Sequence, residues 1–141
     1  MIPGDALSVS ASALSANRTR LNVIAENLAN AHTTKTLGGG PYKRRVVRLE
    51  PDGPLFTQIL GDASAEVRGV KVANVVSVPG TRRVHLPGHP DADKDGYVAF
   101  PRINPAEDMV DLMSATRSYQ ANVAAISAVK DMIQRSIDLL R

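Results

Sequence analysis

Residues 5–37 read DALSVSASALSANRTRLNVIAENLANAHTTKTL, a run with no glycine or proline in it. Leu7, Leu14, Leu21 and Leu28 recur at a strict seven-residue interval, and Ile24 and Ala31 follow the last two by three. That spacing keeps one apolar line on one side of a helix and predicts a partner helix along its length. Val9, Ala16 and Val23 form a second line at the same interval, well round the helix from the leucines. A helix with two apolar lines needs more than one neighbour. The stretch also carries Asn17, Asn22, Asn27 and Asn30, although asparagine competes with the helical backbone for hydrogen bonds and is a poor helix former.

Every glycine lies at position 4 or between 38 and 96, and every proline at position 3 or between 41 and 105. A second segment free of breakers therefore runs from 106 to 141. It is announced by Asn104-Pro105-Ala106-Glu107, with asparagine suited to the N-cap, proline to the first helical position and glutamate to the third. Glu107, Asp108 and Asp111 complement the positive end of the helix dipole. Leu112, Tyr119, Ile126, Ile133 and Leu140 again recur every seven residues, with Thr116, Val123 and Ile137 filling most of the seam between them. At 1.5 Å per residue the helix spans about 50 Å. Met109, Met113, Val129 and Met132 are left over for other contacts.

The stretch between the helices is rich in glycine and proline. Tyr42–Leu49 has strand composition, and Val67–Val78 alternates in part, at Val70, Val72 and Val76, with Val75 and Val78 off phase. The expected fold is thus mainly α with a small β insert: long terminal helices paired as a coiled-coil-like bundle, and a short β-hairpin region between them. The expected division is 1–34, an N-terminal helix; 35–104, the insert; and 105–141, a C-terminal helix, with the two helices forming one domain.

Composition narrows the function. The chain has 141 residues, with two Phe, three Tyr, no Trp and no Cys. Thiolate chemistry is therefore excluded, and no run approaches the roughly 20 apolar residues of a membrane span. The net charge of +3 is concentrated in the middle, at Lys43-Arg44-Arg45, Arg48, Arg68, Lys71 and Arg82-Arg83. No aromatic residues are interleaved there for base stacking, so a solvated strand face is the better reading than a nucleic-acid site. Asp91-Ala92-Asp93-Lys94-Asp95-Gly96 matches the first half of a calcium-binding EF-hand loop, but the twelfth position is Arg102 rather than glutamate. Pro87, Pro90 and Pro101 also leave no room for flanking helices, so an Asp-rich turn is expected. His85 and His89 lack a third clustered ligand, and no nucleophile-elbow or phosphate-loop motif places the serines. The chain is expected not to be an enzyme, with no cofactor, metal or small-molecule substrate.

Ser12–Ala31, SALSANRTRLNVIAENLANA, resembles the N-terminal signature of bacterial flagellar rod and hook proteins, and Arg117–Asn122, RSYQAN, resembles their C-terminal signature. His89-Pro90-Asp91-Ala92-Asp93, Gly96-Tyr97-Val98 and Pro101 are similar to the segment before the last helix in proximal-rod members of the family. The short middle also fits the proximal rod, since distal-rod and hook relatives carry longer inserts. His32 stands where Asn or Asp is expected after Asn-Ala.

The resemblance implies a structural subunit of the flagellar basal body. Such a subunit is exported through the flagellar type III apparatus without a cleaved signal peptide. It then polymerises in the periplasm, with copies of itself and other rod proteins, into the shaft that transmits torque. Binding to nucleic acid and direct membrane insertion are not implied. The expected assembly interface comprises Leu7, Leu14, Asn17, Leu21, Ile24, Asn27, Leu28, Asn30, Leu112, Tyr119, Asn122, Val123, Ile126, Ile133 and Leu140. Asn22, Asn27 and Asn30 lie away from the leucine line, where an amide can fix register against a neighbouring subunit; a helix-ending role is the alternative for Asn30. A cytosolic coiled-coil adaptor would explain the heptads but not both signatures.

Overall fold

The computed structural model describes residues 3–53 and 69–139. Helix α1 spans Pro3–Ala29, strands β1 and β2 span Arg44–Pro51 and Val70–Val78, β3 and β4 span Thr81–His85 and Tyr97–Pro101, and helix α2 spans Pro105–Leu139. Both sheets are antiparallel and two-stranded, β1 with β2 and β3 with β4.

This corrects the expected mainly-α bundle. The strands are not a small appendage to two self-sufficient helices, because they supply part of the core: Val98 and Phe100 of β4 are buried together with Ile103, and Pro101 is among the most enclosed side chains. The two helices do pack on one another, but α1 also packs along the first sheet. Its least exposed residues are Ala16 and Val23 of the second apolar line, Ile24, and Asn27, whereas the leucines are each only partly buried. The reason is geometric. A helix with a sheet on one side and a helix on another buries deepest the residues that lie between its two neighbours, and the leucine line falls at the margin.

Two side chains of α1 fasten the first sheet lengthwise. Near the C-terminal end, Asn27 bonds the backbone of Arg45 in β1. Fifteen residues earlier, the Ser12 hydroxyl accepts from the amide of Val70 at the start of β2, at 3.2 Å. Gly69 makes that approach possible. Its φ is +131°, and a Cβ there would fall 2.2 Å from the Ser12 Oγ.

The phase slip in the second β segment has a physical cause. Arg48 pairs with Asn74 but Leu49 pairs with Val72, so Ala73 is an extra residue in β2, a bulge that resets the alternation. Val70, Val72 and Val75 are consequently all partly buried.

Helix α1 stops at Ala29, short of the breaker-free run that ends at 37. Asn30 ends it: its Nδ2 donates to the Glu26 carbonyl at 2.9 Å, and its Oδ1 accepts from the Thr33 hydroxyl at 3.1 Å. These local bonds satisfy the last turn in place of further helix. The start of α2 is as the sequence expects, with the Ala106 amide donating to Asn104 Oδ1 at 3.2 Å and the Asp108 amide to the Asn104 carbonyl at 3.0 Å. Among the described residues, no helix is long and apolar enough to cross a membrane.

Candidate assembly surface

Helices α1 and α2 run antiparallel, as two ion pairs near the α2 N-terminus show. Arg20 of α1 lies 4.0 Å from Asp111, and Arg44, the first residue of β1, binds Asp108 at 2.5 Å. Asp108 is 1% exposed, so this pair holds the start of α2 against β1 in a low-dielectric setting where loss of either partner is costly.

One stripe of α2 faces α1. It begins at the buried Asp108 and Ala115 and continues through the partly buried Tyr119, Asn122, Ile126 and Val129. Beyond 129 the burial ceases: every residue from Lys130 to Leu139 is exposed. The cause is length. Helix α2 has 35 residues and α1 has 27, so the last turns of α2 outrun their partner. Ile133 continues the seam stripe there, and Ile137 and Met132 lie 50% and 59% exposed.

Near its start, the side of α2 turned away from α1 is also apolar. Met109 is 54% exposed, Val110 66% and Met113 58%. A helix with apolar residues on opposite faces has more contact surface than one intramolecular neighbour can cover.

The other expected interface residues distribute as follows. Leu7, Leu14, Leu21, Leu28, Asn17 and Leu112 are partly buried, Ile24 is buried and Val123 is exposed. Leu140 lies outside the described residues. Asn122 turns its amide back onto the Ser118 carbonyl of its own helix at 2.9 Å. Asn27 departs from the expectation most clearly. It is 2% exposed, and its Oδ1 accepts from both the Arg45 amide, at 2.9 Å, and the Tyr42 hydroxyl, at 3.2 Å. The amide fixes the register of a strand in its own chain, and Asn30 ends its own helix. Burial pushes the Tyr42 hydroxyl above the ordinary phenol value, and the nearby charge of Glu26 adds to the shift.

The Asp-rich loop is a turn organised by one of its carboxylates. Asp93 Oδ1 accepts from the amides of Asp95 and Tyr97 at 3.0 and 2.8 Å, and its Oδ2 binds Arg83 at 2.5 Å. The Tyr97 amide bond is the chief cause that holds its carboxyl below the usual carboxylate value. Gly96, at φ +76°, lets the chain return into β4. His85 stands edge-on to Tyr97 and His89 to Phe100. Among the described residues no group of three or more His, Cys, Asp or Glu is placed to hold a metal.

The sequence reading missed the Arg44–Asp108 pair and the Ser12 latch. Asp108 looked like an ordinary dipole-complementing carboxylate, and nothing local to it signals a partner 64 residues away.

Comparison with known proteins bears on the same elements. Residues 7–35 match the family model described as Flagella basal body rod protein, and residues 94–139 match the one described as Flagellar basal body rod FlgEFG protein C-terminal. The flagellar basal-body rod protein FlgC of Bacillus subtilis is 42% identical over 143 residues, covering 94% of this chain and 95% of the relative. That of Salmonella typhimurium is 39% identical, covering 93% and 92%, and that of Borreliella burgdorferi 34% identical, covering 96% and 95%. These similarities leave the adaptor reading without support. Both matched segments contain a long helix, and the relatives align across the β region as well, so the chain belongs to the FlgC family of flagellar basal-body rod proteins and is a structural subunit of that rod.

Proposed function

We propose that this subunit polymerises through its two helices, with copies of itself and with other rod proteins, into the proximal part of the rod. On this reading it reaches the periplasm through the flagellar type III export apparatus, without a cleaved signal peptide, and transmits torque as part of the shaft. The observation that carries the proposal is the pair of faces on α2. One seam is taken up by α1, while Met109, Val110 and Met113 stand exposed on the opposite side. Burying such side chains against a neighbour contributes about 1.5–3 kcal/mol each when complete, and the contact recurs in every subunit of a repeating assembly.

The test is complementation of a deletion strain with Met113→Asp, scoring swimming and the amount of exported subunit separately. The side chain is 58% exposed, so the monomer should fold and be exported while rod assembly and swimming fail. Swimming at the parental level would refute the role of this face. Loss of export would instead show that the helix acts in secretion.

A further inference from the structure

A cleft of about 620 Å³ opens where the β3–β4 hairpin meets the start of α2, and its wall includes Arg44, Arg82, Arg102, Val78, Asn104 and Glu107. We propose that it is a docking site for an acidic segment of a neighbouring protein, bound through the carboxylates of its Asp or Glu side chains.

Charge is the first ground. Three guanidinium groups line the cleft against the single carboxylate of Glu107. Arg44 is already engaged by Asp108, and its Nε and Asp108 Oδ2 are both buried without a hydrogen-bond partner, so the charge available to a ligand is that of Arg82 and Arg102. Arg82 and Arg102 have no ion pair among the described residues, although four other pairs form in the same molecule. Guanidinium groups gathered in one concavity repel one another, and an anion between them relieves that repulsion.

The Arg82 side chain is also held in place, and the backbone of Arg102 is anchored. Arg82 lies opposite Phe100 across the hairpin, with its guanidinium 5.7 Å from the ring centroid. Stacking of this kind restricts the side chain and leaves its N–H edge available. The amide of Arg102 donates to the Gly80 carbonyl at 3.2 Å, which fixes its backbone at the other wall. One positioned fork, at Arg82, with a second guanidinium in the same cleft, suits the planar, bidentate geometry of carboxylates. The apolar contribution of Val78, itself 44% exposed, suits the aliphatic stem of a glutamate better than a bare inorganic anion.

The test uses the intact chain and a fluorescein-labelled hexaglutamate peptide, with binding read by fluorescence anisotropy at low ionic strength. The peptide should bind, and added salt should weaken the complex. The double variant Arg82→Gln/Arg102→Gln should weaken binding about tenfold or more, as expected for two lost charge-assisted contacts. Lys94→Gln/Lys130→Gln removes the same charge away from the cleft and should change it by no more than about twofold. Arg102→Lys keeps the charge and loses the fork, and should fall between them. Circular dichroism melts confirm that each variant folds, and the Arg102→Lys comparison stands by itself if the double variant does not. Absence of binding to the parent chain, equal losses in the two double variants, or an Arg102→Lys protein indistinguishable from the parent would overturn the proposal. Stronger competition by inorganic phosphate or a single-stranded oligonucleotide than by unlabelled peptide would overturn the choice of a carboxylate partner. All these readouts come from the isolated subunit, so they stand or fall apart from the polymerisation reading.

Discussion

Asn27 and Arg45 exchange two hydrogen bonds: the asparagine Nδ2 donates to the Arg45 carbonyl at 2.8 Å, and the Arg45 amide donates to the asparagine Oδ1 at 2.9 Å. A side-chain amide here does the work of a neighbouring strand, giving the first pair of β1 the partners that a sheet edge would otherwise lack. Asn27→Ala strips both and leaves a buried donor and acceptor unmatched, which should cost about 2–4 kcal/mol in urea unfolding. Asn27→Asp keeps the acceptor and loses the donor, adding a buried charge, and should be no better. A cost below about 0.5 kcal/mol for the alanine variant would mean that β1 does not depend on this pairing.

Arg44 and Asp108 are joined across 64 residues of sequence at 2.5 Å. Arg44→Ala should destabilise by about 3–5 kcal/mol, because it strands a carboxylate that is almost wholly enclosed. The double variant Arg44→Ala/Asp108→Ala should recover part of that loss, since neither charge remains buried alone. Strictly additive losses in the double-mutant cycle would contradict the pairing.

Gly69 closes the fastening at the other end of the sheet. Gly69→Ala forces a Cβ into the Ser12 Oγ at 2.2 Å and holds an L-residue at φ +131°, so it should lower stability by about 1–3 kcal/mol. Ser12→Ala in the same chain should relieve only the contact and not the backbone strain. Full rescue by that second substitution would place the whole penalty in the side-chain clash.

Asp93 gives a pH prediction of definite sign. Its folded carboxyl titrates below the ordinary carboxylate value, so it binds its proton less readily folded than unfolded. Its contribution is present above the unfolded value of 3.8 and is lost as pH falls through the lower folded one. The side-chain carbon shift followed by NMR should titrate below that of an aspartate in an unstructured peptide. Because the Tyr97 amide is the first cause and Arg83 a lesser one, Arg83→Gln should leave much of the depression in place. An Asp93 that titrates like a free aspartate would remove this account of the turn.

These particulars show which parts of the fold were legible in the residues. The Asn104 cap, the length of α2 and the Asp-rich turn are local matters, settled within a few positions of chain, and the sequence reading reached them. The expected division ran the first helix on to 34, although a helix-ending role for Asn30 was the stated alternative, because in sequence an asparagine that closes a turn by its side chain is hard to tell from one more polar residue in a helix. The larger error concerned the sheets. Heptad spacing reports that a helix has apolar lines but not what covers them, so the Val9–Ala16–Val23 line was readable while its position beside β1 and β2 was not. Asn27 was singled out for the right chemistry and given the wrong partner. A donor–acceptor amide serves a strand of its own chain as well as it would serve another subunit, and only the spatial closeness of residues 27 and 45 decides between them.

The two ends of the α2 seam separate folding from assembly. Ile126 is partly buried on the stripe that faces α1, whereas Met132 lies 59% exposed, past the point where burial against α1 ceases. Ile126→Asp places a charge in an intramolecular contact, so it should cost the isolated subunit about 2–4 kcal/mol and abolish swimming as well. Met132→Asp should leave the monomer within about 0.5 kcal/mol of the parent, as exposed substitutions usually do. If the overhanging turns are covered only in the rod, it should nevertheless abolish swimming while exported subunit accumulates. Urea unfolding of purified chains and complementation of a deletion strain supply the two readings. Normal swimming with Met132→Asp would show that the overhang stays solvated in the rod and that the assembly contacts lie on the Met109–Met113 face instead.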